Sequence, residues 1–277
     1  MKWRKLPEEL RKEGEAFLRA RERFCVTAYA RFLRHEKQGH TWFLNNPEGG
    51  IRALLLHTGQ SLFPVFNKSS DIPSPRFLNR FLGKVPIHAI QALKEDAEVL
   101  ETLMEAQGYY AAERINYDLM NLEASPSQRA LEAGPPELII RSPVREDERA
   151  LYELHSAYEI EEVLPQGAVH SPASSQHNLS RILSGQRILV AELEGRLVGK
   201  INTNAQSQNY FQIGGVYVRP DLRSRGIATR MCAVFLQTLM TTGRSISLFV
   251  KKRNTPARMV YEKIGFSILG DYRINYY

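Results

Sequence analysis

One order of secondary structure is predicted twice in this sequence: three strands, a helix, a strand, a helix and a strand. Apolar alternation and turn residues indicate it over residues 41–122 and again over residues 187–277. The length of 277 residues is enough for two ordinary domains. We therefore expect an α/β (α+β) fold with two similar halves in tandem, each with a central mixed, mostly antiparallel sheet flanked by helices.

The stretch between the halves has the composition of a linker. Residues 123–137, EASPSQRALEAGPPE, are rich in Ala, Ser, Pro and Gly, and the paired prolines would stiffen the end of this stretch. We predict an N-terminal domain over residues 1–124, a linker over 125–136 and a second domain over 137–277.

Hydrophobic periodicity gives approximate bounds for the elements of each half. The first half is predicted to begin with one charged amphipathic helix over residues 8–35. Its strands are then expected at 41–46, 51–58, 61–66, 85–90 and 111–122, and its helices at 75–82 and 93–107. The second half is expected to have strands at 138–143, 187–193, 196–204, 211–218, 245–251 and 266–277, and helices at 146–164, 174–184, 226–243 and 256–265.

Several features point to a cytoplasmic protein. The chain has no run of about 18 apolar residues, and its charged residues 1–24 lack the apolar core of a signal peptide. Cys25 and Cys232 both lie in apolar-periodic segments, which favours buried thiols in a reducing compartment. His35 and His40 have no second pair of metal ligands nearby, so we expect no metal. We also expect no membrane partner, and the sequence leaves the oligomeric state open.

The positive charge is concentrated near the end of the chain. Residues 219–277 contain 11 basic and 3 acidic side chains, whereas residues 137–218 contain 7 basic and 10 acidic ones. A diffuse nucleic-acid surface would spread the charge more widely, so we expect no nucleic-acid partner. A local excess suits a compact, multiply charged anion, although a solvated basic face would give the same composition.

The segment VYVRPDLRSRGIATRM combines a strand, a glycine among arginines and the start of a helix. The first N–H groups of a helix have no partner within the helix, and together with the helix dipole they favour an anion. Gly226 allows close approach of a ligand or a positive φ, and arginines add charged hydrogen bonds. The segment lacks the Gly-Lys-Ser/Thr ending of a Walker loop and the G-x-G-x-x-G of a dinucleotide site.

With its flanking strands, this segment resembles the GNAT acyltransferase superfamily over nearly all of residues 137–277. The matching residues are Val218 and Pro220, then Arg223, Gly226 and Ala228, and further on Asn254, Ala257, Tyr261, Lys263, Gly265 and Phe266. The whole chain resembles a tandem GNAT protein with a degenerate N-terminal half. The first half has NKSSDIPSP where the second has the glycine loop, so we expect it to bind no acyl-CoA, to complete the fold and to wall the acceptor cleft.

The resemblance implies where acetyl-CoA binds. In the family, the loop binds the pyrophosphate and the preceding strand pairs its backbone with the pantetheine arm. The cofactor-binding residues so implied are Val216, Tyr217, Val218, Arg223, Ser224, Arg225, Gly226, Ile227, Ala228, Thr229, Asn254 and Tyr261. Asn254 and Tyr261 would face the thioester sulfur.

Tyr261 is also a candidate on chemical grounds. Attack of an amine on a thioester expels a thiolate, and a nearby phenol can supply a proton as the C–S bond breaks. Tyr261 could instead be only part of the apolar face of its helix. Asn254 is the second catalytic candidate.

The general base is open, because QIGGVYV lacks the glutamate that some family members have on this strand. Glu161 and Glu162, at the end of the first helix of the second half, are the candidates. An exposed pair at a helix end is an equally good interpretation of them. Asn202 and Asn204 lie on one strand face and either bind an acceptor or face solvent. Lys251-Lys252-Arg253 is either a solvated strand end or a site for the 3′-phosphate.

Two functions therefore remain for this chain. The first is an acetyl-CoA-dependent N-acyltransferase that moves an acetyl group to a primary amine by direct attack in a ternary complex. The second is a non-catalytic module that binds acyl-CoA as a sensor or interaction domain. The motif residues favour the enzyme, and the missing strand carboxylate favours the module.

Overall fold

The computed structural model describes residues 2–34, 40–68, 70–82, 85–165 and 167–277. The chain divides into two compact units: unit 1 is Met1–Leu119 with Gly270–Tyr277, and unit 2 is Met120–Leu269. Two strands, Glu113–Leu122 and Phe266–Tyr276, have residues in both units. His35, the predicted end of the first helix and one of the two histidines considered above, lies outside the described residues.

The elements of unit 1 follow one another in the predicted order. They are β1 (Arg4–Lys5), α1 (Arg11–Arg19), α2 (Val26–Leu33), β2 (His40–Asn45), β3 (Ile51–Thr58), β4 (Ser61–Phe66), α3 (Pro75–Leu82), β5 (Ala89–Leu93), α4 (Lys94–Glu105) and β6 (Glu113–Leu122). β1 to β4 pair antiparallel in sequence, β4 pairs parallel with β5, and β5 pairs antiparallel with residues 272–276.

The sheet of unit 1 buries both of its faces. Successive residues of a strand point to opposite faces. Leu54 of β3 accordingly joins a core with Tyr29 of α2, whereas Leu55 joins a second core with Leu78 of α3 and Leu100 of α4. Because β3 has apolar side chains on both faces of the sheet, both faces have to be covered, and helices lie on each side.

Two boundaries predicted for unit 1 are wrong. The single helix expected from residue 8 is two helices, α1 and α2, separated by a 3-10 turn at Glu22–Phe24. The chain turns there because Leu18 of α1 and Tyr29 of α2 are buried in the same core. The strand expected at 85–90 lies at Ala89–Leu93 instead, since Pro86 has no N–H for a sheet ladder.

From its hairpin onward, unit 2 has the same order of strands and helices as unit 1 has from β2 onward. Its elements are α5 (Gln128–Leu131), β7 (Ile139–Arg141), α6 (Glu148–Tyr158), α7 (Pro172–Gly185), β8 (Ile188–Leu193), β9 (Arg196–Gln206), β10 (Tyr210–Val218), α8 (Ile227–Met240), β11 (Ser245–Lys251), α9 (Thr255–Ile264) and β12 (Phe266–Tyr276). β7 to β10 pair antiparallel in sequence, and β10 pairs parallel with β11. The predicted hairpin turn is present, with positive φ at Glu194 and Gly195.

The expected fold class is confirmed: each unit is α/β, with a mostly antiparallel sheet between helices. In unit 2, α8 and α9 cover one face through residues such as Phe235, Leu236 and Ile264. α6 and α7 cover the other through Leu154 and Leu179. Both cysteines are buried and free. No helix in the described part of the chain has the length and hydropathy that crossing a bilayer requires.

The segment predicted as a linker is folded. α5 begins after Ser127, whose hydroxyl accepts the N–H of Ala130 at 3.3 Å, and Ala130 is buried in the core of unit 2. Arg230 of α8 donates to the carbonyl oxygen of Pro135 at 3.1 Å. Ala130 and the partly buried Leu131 give α5 its contact with the core.

Candidate functional site

β10 and β11 are hydrogen bonded over only part of their lengths. Their parallel ladder joins Tyr210–Ile213 to Ser245–Leu248, although the strands continue to Val218 and Lys251. The ladder between β10 and β9 is also irregular, with a shift between Gly214 and Tyr217, and Gly215 has a φ of +59°. The predicted pantetheine-contacting residues, Val216 to Val218, therefore begin within this bulge and lie just beyond the point where β10 leaves β11.

The loop after β10 leads directly into the N-terminus of α8. Ser224 and Gly226 have φ values of +62° and +81°. The first intrahelical bond joins the N–H of Arg230 to the carbonyl of Gly226 at 3.0 Å. The N–H groups of Ile227, Ala228 and Thr229 consequently have no partner within the helix. The Ile227 side chain is buried and fixes the helix start to the core. Ala228 and Thr229 are half-buried, so this first turn is also accessible to solvent.

Gly226 is required by the fold as well as by its proposed role. A Cβ at this position would lie 2.6 Å from the backbone nitrogen of Gly134, in the segment after α5. The positive φ of Gly226 is a further constraint that a side chain would strain. A substitution of Gly226 would therefore disturb packing before it disturbed any ligand.

The exposed arginines Arg219, Arg223 and Arg225 surround this helix start. Arg223 is held most closely: its Nε donates to the carbonyl of Val218 at 3.0 Å, and its two terminal nitrogens donate to Glu161 at 2.8 and 2.7 Å. The hydrogen bonds to Glu161 raise the pKa of Arg223. The guanidinium also lies 5.5 Å from the ring of Tyr217. Tyr217 itself is buried, and burial raises the pKa of its phenol.

Asn254 and Glu162 come together at the other side of the site, and Tyr261 lies on α9, the helix that Asn254 caps. The Asn254 side chain caps α9 by accepting the N–H of Ala257 at 3.1 Å, and its Nδ2 donates to Glu162 at 3.1 Å. Lys251 lies 3.2 Å from the second oxygen of Glu162. Tyr261 is 7% exposed, and burial, with a smaller contribution from the charge of Glu162, raises its pKa well above the usual value.

The two predicted bases are separated by the geometry of α6. A π-helical turn, Glu159–Val163, extends this helix and places consecutive carboxylates on different partners. Glu161 binds Arg223 of the loop, whereas Glu162 binds Asn254 and Lys251. Only Glu162 contacts the cluster that includes the predicted catalytic residue Asn254.

The sequence analysis missed Lys200, which is fully buried on β9. Its Nζ donates to Oδ1 of Asn202 at 3.2 Å and to the carbonyl of Gly215 at 3.0 Å. Asn202, one of the two predicted acceptor-binding residues, is therefore part of a buried network, while Asn204 is exposed. The adjacent glycines Gly214 and Gly215, opposite a strand with three polar residues, were the available signal.

A cavity of about 500 Å³ lies beside α6. Tyr217 and Arg219 line it together with charged residues that include Arg196, Glu146 and Glu153. Its lining does not include Tyr261, Asn254 or Glu162. We therefore place the candidate chemistry at Asn254 and Glu162, whose amide and carboxylate are in contact near Tyr261 of α9, and not in this cavity.

Comparison with known proteins identifies the family. Residues 149–266 match the family model described as the acetyltransferase (GNAT) family. Residues 149–266 of this chain belong to the GNAT superfamily. The match covers the loop, Asn254 and Tyr261, and it supports an acetyl-transfer function in general terms for this GNAT domain. GNAT proteins typically use acetyl-CoA as the acyl donor. No curated protein sequence matches the chain.

Solved structures share the fold of this chain along nearly its whole length. A protein from Drosophila covers 99% of the chain and 98% of its own length at 14% identity, with a TM-score of 0.66. A GNAT-family acetyltransferase from Colwellia psychrerythraea covers 100% and 99% at 10% identity, with a TM-score of 0.61. A tandem GNAT protein from the clavulanic acid biosynthesis pathway covers 99% and 97% at 13% identity, with a TM-score of 0.58. At these identities the likeness shows the fold alone.

Proposed function

We propose that this protein is an N-acyltransferase that moves an acetyl group from acetyl-CoA to a primary amine. The observation that carries the proposal is the start of α8, where backbone N–H groups without helical partners lie among three exposed arginines. Unpaired N–H groups, the helix dipole and guanidinium groups together favour a pyrophosphate. This site follows a strand that has separated from its parallel neighbour, so an extended pantetheine arm has a backbone edge to pair with.

The residues present fit acetyl-CoA without further groups. Val216, Tyr217 and Val218 would bind the pantetheine arm through the backbone of β10. Ser224 to Thr229 would bind the pyrophosphate through N–H groups, with Arg223 and Arg225 adding charge. The chemistry supplied by the bound thioester is an activated acyl carbon.

The transfer itself needs a neutral amine and a protonated leaving group. As the C–N bond forms and the C–S bond breaks, the amine loses a proton to a base and the thiolate gains one. We assign the second proton to Tyr261, whose burial keeps its phenol protonated. Burial raises the pKa of the phenol, and the same surroundings raise the pKa of the departing thiol. The thiolate is therefore still able to take the proton of the phenol.

We assign the first proton to Glu162, directly or through a water molecule. Its carboxylate lies 3.1 Å from Nδ2 of Asn254. Lys251 lies 3.2 Å from its second oxygen and fixes its position from the other side. Asn254 would orient this carboxylate while it caps α9. Glu161 is a weaker candidate for the base because both of its oxygens are bonded to Arg223.

Release of free thiol from acetyl-CoA tests the proposal. The full-length protein is incubated with a panel of amines, peptides and polyamines, and acetylated products are identified by mass spectrometry. We expect thiol release that depends on one class of acceptor and that is matched by product. Tight binding of acetyl-CoA without transfer to any acceptor would contradict catalysis.

That second outcome defines the alternative, a module that senses acyl-CoA. One observation favours it: both candidate bases, Glu161 and Glu162, are held in ion pairs, and β10 has no carboxylate. In this alternative Arg223 would exchange Glu161 for the pyrophosphate, and the π-helical turn of α6 would move in response.

A further inference from the structure

Lys200 is a fully buried cation in the sheet of unit 2. Its Nζ donates to Asn202 Oδ1 at 3.2 Å and to the carbonyl of Gly215 at 3.0 Å, and it lies 4.4 Å from the ring centroid of Tyr158. An ammonium group has three N–H donors, and these three partners are placed to receive them. The surroundings therefore match the charged form of the side chain.

Removing an ammonium group from water costs free energy that an apolar side chain would not cost. A lysine at this position therefore indicates a role that requires its charge. Burial lowers the pKa of Lys200 to about 7, while the charge of Glu159 favours its protonated form. The groups that face it are Tyr158 and Glu159 from α6 and Asn202 and Gly215 from the neighbouring strand positions. His155 of α6 is close enough for Lys200 to help lower its pKa to about 4, where burial is the larger cause. Packing alone does not explain this residue, because a methionine would fill the same space without the desolvation cost.

Lys200 is bonded to the one peptide that forms the bulge of β10. In a planar trans peptide the C=O and N–H bonds point in opposite directions, so the N–H of Val216 points away from Lys200. A Cβ on Gly215 would lie 2.0 Å from Oδ1 of Asn202 and 2.9 Å from the Lys200 Nζ, so a side chain at this point would displace the Lys200 network. The bulge lies just past Ile213, where β10 stops pairing with β11.

We propose that Lys200 is a positioning residue for acyl transfer, which holds and polarises the Gly215–Val216 peptide so that the Val216 N–H binds the thioester carbonyl oxygen. This inference rests on the proposed function. A hydrogen bond to one end of a peptide strengthens the donor at its other end, and a donor aimed at the oxygen where negative charge develops stabilises the transition state. Lys200 exchanges no proton with the substrate, and its own charge is what the step requires.

Lys200→Met tests the proposal in the full-length protein, with Arg149→Met as the control. Arg149 has a side chain that is 93% exposed, so its replacement removes one positive charge without burial. Loss of one oxyanion donor costs about 100–1000-fold in kcat, and a donor that is weakened and not removed should cost about 10–100-fold. We expect this loss in Lys200→Met with little change in KM for acetyl-CoA. The control should keep the wild-type kcat.

The pH profile separates positioning from simple packing. The wild-type kcat should decline as pH rises through about 7, because Lys200 loses its proton there, and Lys200→Met should lack this decline. A variant with wild-type kcat would overturn the proposal. A variant with low kcat that kept the alkaline decline would also overturn it, since the loss would then be structural.

Nuclear magnetic resonance of the Val216 amide gives a readout that needs no turnover. In the wild-type protein we expect its nitrogen shift to titrate with a midpoint near pH 7, as the bond from Lys200 weakens. This holds even if the variant fails to fold. An amide shift that is constant from pH 6 to 9 would overturn the proposal, whereas absence of acyl transfer with a titrating shift would overturn only the proposed function.

Discussion

The two units begin their corresponding helices, α3 and α8, in opposite ways. In unit 1 the chain fills its own donors: the buried carboxylate of Asp71 accepts the N–H of Lys68 at 3.2 Å and pairs with Arg52. The hydroxyl of Ser74 accepts the N–H of Phe77 at 3.3 Å at the start of α3. A serine of the chain thus caps the start of α3, and the carboxylate of Asp71 stays in the preceding loop, where it is paired with Arg52.

In unit 2 the same position has a glycine with no side chain to act as a cap. The nearby side chains Arg219, Arg223 and Arg225 are cations, and none of them can accept an N–H bond. The comparison teaches that topology alone does not make a ligand site. We propose the pyrophosphate site for unit 2 because, of these two helix starts, only the one in unit 2 leaves its N–H groups without a side-chain cap.

Unit 1 nevertheless retains the separation of its parallel strands. The ladder of β4 and β5 joins only Ser61–Leu62 to Ala89–Ile90, and a cavity of about 240 Å³ is lined by residues of both strands beyond that point. Unit 1 thus has a gap between its parallel strands, as unit 2 does, but it lacks the glycine loop of unit 2. We therefore keep the proposal that unit 1 binds no acyl-CoA.

The strongest test of this asymmetry removes one buried hydroxyl from each unit. Tyr261→Phe keeps the ring and removes the proposed acid, so turnover should fall by about 10²–10⁴-fold. Affinity for acetyl-CoA, measured by calorimetry, should change little. The matched control is Tyr272→Phe, at a tyrosine of unit 1 that is also buried, which should keep wild-type turnover. Equal losses in both variants would assign Tyr261 to packing.

A second test adds one anion to each helix start. Ala228→Asp places a carboxylate in the first turn of α8, where it suits the helix dipole but repels a pyrophosphate. Affinity for acetyl-CoA should fall by at least about 100-fold, roughly 2.7 kcal/mol by calorimetry. Ser74→Asp makes the same change of charge at α3 and should leave the affinity unchanged. Equal affinity of wild type and Ala228→Asp would exclude α8 as the pyrophosphate site.

The buried ionisable groups of the two units should respond to pH in opposite directions. Burial raises the pKa of Asp96 in unit 1 to about 7, so its contribution to stability is lost as pH rises from about 4 to 7. Burial lowers the pKa of Lys200 in unit 2 to about 7, so its penalty is relieved as pH rises from about 7 to 10.5. Each group changes the folding equilibrium by at most about tenfold per pH unit.

Denaturant unfolding at several pH values checks these signs. Relative to wild type, Asp96→Asn should gain stability as pH rises from 4 to 7, because it lacks the group that the wild type must ionise. Lys200→Met should have its largest advantage below pH 7 and lose it toward pH 10. Parallel pH curves for a variant and the wild type would contradict the assignment of that group.

The smallest expected effect concerns the ion pair between Glu161 and Arg223. Their side chains are 40% and 42% exposed, and exposed pairs contribute at most about 1 kcal/mol. Glu161→Gln should free Arg223 for the pyrophosphate and tighten acetyl-CoA binding by about 2–5-fold in calorimetry. The exposed Glu148 of the same helix gives the control, Glu148→Gln. A large loss of turnover in Glu161→Gln would instead make Glu161 the base.

Local pattern was sufficient for elements whose ends coincide with turn residues. The strands at Ile51–Thr58, Ser61–Phe66 and Ser245–Lys251 and the helix at Pro75–Leu82 were predicted with the bounds that the structure has. The break between α1 and α2 was missed because it depends on a shared core and not on a glycine or proline. α5 was missed because two adjacent apolar residues, Ala130 and Leu131, are too short a pattern to predict a helix in a stretch that also contains Gly and Pro.

The candidate site shows the same division between local and tertiary information. The glycine loop could be predicted because its residues are consecutive. The pairing of Glu161 with Arg223 and of Glu162 with Asn254 depends on a π-helical turn, and the residue types in this turn do not predict it. Lys200 was missed because a lysine in the alternating segment KINTN has the pattern of a solvent face, whereas the fold buries it.

The last strand has a consequence for how unit 1 is made. Residues 272–276 of β12 are the antiparallel partners of β5, yet the residues of unit 2 lie between them in the chain. A ribosome adds about 5–20 residues per second, so β5 emerges on the order of ten seconds before its partner. During that interval β5 is an open edge, able to pair with another nascent chain. The order of translation therefore makes the exposed edge of β5 a place where a chaperone would protect the nascent chain.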